Sequence, residues 1–279
     1  MTAISPVRPS PIAGSWYPGD PDVLRNLVTG YIDAAEVKPL DGSVIGLVSP
    51  HAGYIYSGPT AGFAYRAVKG MTFDLVVVLS PLHAYRPEPF LTSAHESYET
   101  PLGKLEIDKN TLADLKAELE KTGFEISPVA YDQEHSLEIQ LPFLQCALSG
   151  SFQILPLMIR EHRGKAIKPF AHALARILEG KNILLVASTD LSHFFTEEEA
   201  NHLDGVMLEQ IRGYSPEGVL KAEEDGTGSA CGNGAVAAAL WTSRELGGKK
   251  VTILHHSTSA QTTGDRSQVV GYGAAVISS

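Results

Sequence analysis

Three apolar, strand-like runs in this sequence each lead directly to a histidine. Val44 to Val48 precedes Ser49-Pro50-His51, Leu75 to Leu79 precedes Ser80-Pro81-Leu82-His83, and Ile183 to Ala187 precedes Ser188-Thr189-Asp190-Leu191-Ser192-His193. In an open α/β sheet, functional groups gather beyond the carboxyl ends of the strands. Three imidazoles delivered to one such edge can meet in space. Imidazole is the commonest metal ligand and titrates near neutral pH, so the expected chemistry is metal binding or proton transfer.

Such a site needs an anionic ligand, and Cys231 is the leading candidate. It lies among Gly228, Gly232 and Gly234 just before a helical segment, and a helix N-terminus favours the thiolate. Two histidines and a cysteine with an open position suit catalytic zinc. A two-histidine, one-carboxylate set would suit non-haem Fe(II), and thiolate in place of carboxylate admits copper. Asp190 stands three residues before His193, where its carboxylate could orient or charge that imidazole as a proton carrier. A second chemistry uses the same residues without metal: Cys231 as nucleophile, His193 as base and Asp190 as orienter, which describes a cysteine hydrolase.

Glu134-His135-Ser136-Leu137-Glu138 opens a segment in which Leu137, Leu141, Leu144 and Leu148 recur at helical spacing. At about 100° per residue, His135 and Glu138 fall away from that leucine stripe and are expected to face water or a cleft and not the core. Glu134 and Tyr54, the latter just after His51, are expected to line the same pocket. Pro142 should bend this helix or force it to restart. Gly226-Thr227-Gly228 lacks the remaining glycine of a dinucleotide fingerprint, and neither a P-loop nor a Gly-x-Ser-x-Gly elbow is present.

The elements that must position these residues follow from the hydropathy pattern. Helices are expected from Asp20 to Ala35, Pro59 to Val68, Asn110 or Thr111 to Lys121, Lys165 to Glu179, Glu197 to Gly213, Pro216 to Glu224 and Ala235 to Leu246. Beyond the three His-tipped runs, strands are expected at Phe90 to Thr100, Lys104 to Ile107, Phe152 to Ile159, Val251 to His255 and Val269 to Ile277. This alternation predicts a layered α/β sandwich around a central mixed sheet. Residues 1–279 read as one domain, with 1–19 an irregular arm that Trp16, Tyr17 and Pro18 could pin to the body.

The 279 residues are 43% hydrophobic and 19% charged, as in a globular enzyme. A formal net charge of −10 argues against nucleic acid or an anionic membrane as the main partner. Two cysteines, Cys146 and Cys231, suggest no disulfide framework. No run approaches a bilayer span, and the N-terminus lacks the basic start and apolar core of a signal peptide. The expected location is the cytoplasm.

The chain resembles the Memo family over nearly its whole length. The resemblance rests on Gly14-Ser15-Trp16-Tyr17, Ser49-Pro50-His51-Ala52-Gly53-Tyr54, Thr100-Pro101-Leu102-Gly103, Glu134-His135-Ser136-Leu137-Glu138, Ser188 to His193 and Cys231-Gly232. It implies the fold of class III extradiol dioxygenases, with His51, His83 and Cys231 as metal ligands and Asp190 and His193 beside them. The cysteine stands where those dioxygenases have a glutamate. The family's usual Gly-Pro-Ser-His reads Ser80-Pro81-Leu82-His83 here, which alters the loop and keeps the imidazole. Eukaryotic relatives bind phosphotyrosine motifs, and prokaryotic ones are often encoded near a radical-SAM enzyme and an AMMECR-type protein. The combined expectation is a mononuclear iron or copper centre, with zinc as the further option, acting oxidatively on a phenolic or enol-like small molecule. A metal-independent module for a carboxylate- or phosphate-bearing peptide is the alternative.

Overall fold

The computed structural model describes residues 4–279. In chain order the elements are β1 (Val7–Arg8), α1 (Pro21–Ala34), β2 (Val44–Ser49), α2 (Tyr54–Arg66), β3 (Leu75–Pro81), β4 (Phe90–Ser93), β5 (Ser97–Thr100), β6 (Gly103–Glu106), α3 (Lys109–Glu120) and β7 (Ile126–Val129). A short 3-10 turn, Glu138–Gln140, leads into α4 (Leu141–Ala147). The chain continues through β8 (Gln153–Ile159), α5 (Gly164–Leu178), β9 (Ile183–Ser188), β10 (His193–Phe195), α6 (Glu197–Arg212), α7 (Pro216–Glu224) and α8 (Asn233–Glu245). It ends in β11 (Lys250–Thr258), α9 (Ala260–Thr263) and β12 (Val269–Ser278).

Strands β2, β9, β3 and β8 lie side by side and parallel, so their carboxyl ends open onto one edge. Antiparallel β12 and then β11 extend one flank, while β4, antiparallel to β8, and then β7 extend the other. The sheet is mixed, as expected. Period-two alternation decides which layer each strand residue feeds. Val76, Val78, Leu184 and Val186 pack under α1, α2 and α4, and Val77, Leu79, Leu185 and Ala187 pack under α3, α5, α6, α7 and α8. Burial on both faces explains why these strands read as unbroken apolar runs.

Several local expectations need correction. Helix α2 begins at Tyr54, so Pro59 sits inside it. The missing N–H of Pro59 would have bonded the Ile55 carbonyl, and that carbonyl instead accepts from the Thr262 hydroxyl at 3.1 Å. Asp108, not Asn110 or Thr111, caps α3. Pro142 does force a restart: the 3-10 turn ends at Gln140 and α4 opens with the proline in its first turn. The arm is not wholly irregular, because Val7–Arg8 pairs in parallel with β5.

Candidate metal centre

His51 and His83 follow β2 and β3 by two residues each, and Ser188 closes β9 between them. Cys231 arrives from the opposite side, in the loop before α8. Its neighbours must be glycine: a Cβ on Gly232 would lie 2.3 Å from the Ser188 carbonyl oxygen, and one on Gly234 2.4 Å from that of Glu161. These two close approaches press the cysteine against the strand ends. Its sulfur lies 3.1 Å from His51 Nε2. Donor atoms of His51, His83 and Cys231 all fall within 4.8 Å of one another. Metal–nitrogen and metal–sulfur bonds of about 2.0 and 2.3 Å place two tetrahedral ligands roughly 3.5 Å apart, so a shared ion needs only a small opening.

Both imidazoles are held in the tautomer a ligand requires. The Ser188 hydroxyl donates to the Ser136 carbonyl at 2.6 Å and accepts from Gln140 Nε2 at 2.7 Å. Having spent its only proton, it must accept from His51 Nδ1, 3.0 Å away. His51 Nε2 therefore carries the lone pair that faces the sulfur. Gln140 is itself oriented, because its Oε1 accepts from the Tyr65 hydroxyl at 2.7 Å. His83 Nδ1 donates to Glu134 Oε1 at 2.9 Å, which likewise frees Nε2. Glu134 Oε2 accepts from the His83 backbone N–H at 2.6 Å.

Burial pushes Glu134 towards neutrality, but the hydrogen bonds and charge of His83 outweigh it and hold the carboxylate ionised. Backbone N–H groups of His135 and Ser136 also donate to Oε1, at 3.0 and 2.9 Å. Glu134 and His135 form a second convergent group with His83. The carboxylate there receives backbone and imidazole donors, which orient it and His83 against one another.

Burial, then the charge of Asp190, pushes the Cys231 thiol well above its usual range. The expectation that the helix N-terminus favours thiolate is thus reversed before an ion binds, and ligation would displace the sulfur's proton. Burial also holds His51 far below the ordinary imidazole range and His135 down at about 4. The His51 side of the site is thus buried and neutral, whereas His83 is exposed and its pKa is raised by ionised Glu134.

Asp190 and His193 do not pair as expected. Asp190 turns inward, and its Oδ1 accepts from the backbone N–H groups of His51 and Ala52 at 2.7 and 3.3 Å. It fastens the loop that carries His51, and burial raises its carboxyl to about 7. His193 begins β10, and its Nδ1 donates to the Leu191 carbonyl at 2.8 Å. Their spacing of three meant nothing for orientation because the segment is not helical. Asp190 therefore does not orient His193 as the hydrolase arrangement required, and the imidazole beside the thiol is that of His51. His193 still belongs to the site: it lies close enough to His83 and His51 for their charges to act on one another.

Of the expected pocket residues, Glu138 lies elsewhere. It is fully buried and receives Arg8 Nη1 and the Tyr17 hydroxyl, each at 2.6 Å, together with the Ser10 hydroxyl. The helical wheel placed Glu138 correctly away from the leucines, but the N-terminal arm covers that side. Tyr54 is also buried, its ring against Tyr17 and Phe143 and its hydroxyl on the Ile139 carbonyl at 2.7 Å. His135 does reach the site: its ring stacks on His83 with centroids 4.7 Å apart, and Trp16 covers its other side at 4.1 Å. Residues not anticipated are Ser188, Gln140, Arg8 and Asp204. Buried Asp204 accepts from the Ser192 N–H at 2.9 Å and faces His256 Nε2 at 2.8 Å, which steadies the approach to His193. A signal for Ser188 was present, because all three His-tipped runs close on a serine.

Fold and site together define a layered α/β protein with a two-histidine, one-cysteine cluster at the carboxyl edge of its parallel strands. A family model described as Memo-like protein matches residues 8–276. A MEMO1 family protein of Nitrosopumilus maritimus is 32% identical over 273 residues, covering 96% of this chain and 98% of the relative. Those of Methanopyrus kandleri and Methanosarcina acetivorans are 32% and 33% identical, with at least 96% of this chain covered. The chain belongs to the Memo family. Among the described residues, no helix is long and apolar enough to cross a membrane.

Proposed function

We propose that the chain is a mononuclear metal-dependent redox protein, with His51, His83 and Cys231 as ligands of one iron or copper ion. The observation that carries this reading is the convergence of three donors whose lone pairs are aimed by Ser188 and Glu134. A redox-active ion bound there would supply electron transfer and Lewis acidity to a substrate in its open positions. The chain's own residues do the rest. Ser188 and Glu134 hold the two Nδ1 protons, which leaves each Nε2 to face an ion, and Asp190 anchors the His51 loop. His193 is neutral near pH 7 because burial lowers its pKa, and its Nε2 accepts a proton from a bound hydroxyl group. His135 stacks on His83 and is itself covered by Trp16.

Metal analysis of protein purified without added metal tests this, together with anomalous diffraction at the iron, copper and zinc edges. One ion per chain, at the three donors and lost in His51→Ala and Cys231→Ser, is the expected result. No stoichiometric ion, with metal-free protein that fails to bind Fe(II) or copper on titration, would overturn it.

A further inference from the structure

A cleft of 470 Å³ adjoins the metal centre and is bounded by Trp16, Ile55, Tyr56, Phe194, Val270 and Tyr272, with small polar residues between them. That volume is within the range of small-molecule sites, roughly 300–1,000 Å³. The cleft shares its walls with the centre. Trp16 lies on His135, Ala52 follows His51, and the Phe194 ring is 5.8 Å from that of His193. Among the described residues none of its lining side chains is charged.

Among the described residues, four of the nine exposed large hydrophobic side chains, Trp16, Ile55, Tyr56 and Phe194, gather at this one place. Concentration of exposed apolar surface marks a binding site more often than chance scatter does. Phe194 is the sharpest case. Its backbone is left-handed, with φ of 64°, at a break in register between β10 and β12. Its ring is 69% exposed. A bulky residue in a conformation that suits glycine, with its ring in water, gains nothing for the fold. Such bulges and strained residues re-aim side chains beside functional sites.

We infer that the cleft between Trp16 and Phe194 holds the uncharged, apolar body of the ligand whose polar end meets the metal centre, and that Phe194 is a specificity-determining residue. A phosphate or carboxylate in this lobe would be desolvated with no cation to receive it. The inference rests on the metal-centre reading only for the ligand's orientation.

Titration of the full-length protein with 2-naphthol and with 2-naphthol-6-sulfonate, which carries its charge on the body of the ring system, tests it, followed by probe fluorescence before and after chelator treatment. The neutral probe should bind both forms and the sulfonate at least about tenfold more weakly. Phe194→Gly, which relieves the backbone, should weaken 2-naphthol about tenfold, the worth of one buried aromatic ring. Phe194→Tyr should retain binding. Metal stoichiometry should be unchanged in both variants. Equal or tighter binding of the sulfonate, or full affinity in Phe194→Gly, would overturn the inference. Failure to bind metal in the wild type would strike the metal-centre reading and leave this result standing.

Discussion

Ser188 receives the Nδ1 proton of His51 at 3.0 Å while donating its own proton to the Ser136 carbonyl at 2.6 Å. One hydroxyl thus determines which nitrogen of His51 is free for an ion. Ser188→Ala should lower metal affinity about 10- to 100-fold, the usual cost of losing an outer hydrogen bond to a ligand. Competition with a chelator of known strength measures this. Unchanged affinity in a folded variant would show that the tautomer is held by other means.

Glu134 does the same for His83 with a charge added. Glu134→Gln keeps the shape and removes the carboxylate, so the pKa of His83, which the Glu134 hydrogen bond raises, should fall towards its ordinary value. Imidazole titration by NMR in metal-free protein reads the shift, and metal affinity should drop roughly 10-fold or more. A His83 titration that does not move would contradict the geometry.

The buried imidazoles should each withdraw stability from the metal-free protein as pH falls from 7 to 5. Burial depresses His51 and His193 and holds His135 at about 4. A depressed imidazole binds fewer protons folded than unfolded. Its contribution is complete above the unfolded pKa of about 6.5 and is lost as pH falls towards the folded value. His83 acts oppositely: its raised pKa gives stability that is full below about 6.5 and fades as pH rises through the folded value. Asp190, which burial raises to about 7, opposes the imidazoles in the same window as His83 does, so one group is read by difference, and each fully shifted group contributes up to about 1.4 kcal/mol per pH unit. Thermal melts should show a smaller loss towards pH 5 in His135→Asn than in the wild type. A variant slope equal to that of the wild type would remove His135 from the account.

Arg8 should be among the costliest single residues to lose. It is buried, bonded to Asp132 at 2.6 and 3.1 Å and to Glu138 at 2.6 Å, and it holds the Glu134 carbonyl at 2.9 Å. Arg8→Met would strand two carboxylates and cost about 3–5 kcal/mol. Arg8→Lys should recover only part of this, because an ammonium cannot form the forked contact. Denaturant unfolding measures both. A loss below about 1 kcal/mol would mean the arm is not fastened as described.

Much of the scaffold was legible from the chain alone. The unbroken apolar runs marked strands buried on both faces, and the Ser-Pro breaks after them marked where functional loops begin. Glycines around Cys231 marked a loop that opens onto a helix. These are local properties, set by side-chain period and backbone freedom, and the sequence states them directly. Direction was not legible. Asp190 serves His51 rather than His193 because the chain leaves β9 in an extended loop, where spacing carries no angular information. Glu138 is sealed because the arm returns over a helix face that the wheel left open. The aim of each imidazole depends on Ser188, Gln140 and Glu134, which arrive from separate strands and turns. Hydrogen bonds between residues tens to more than a hundred positions apart exist only once the layers have packed, so tertiary structure alone decided which lone pairs converge.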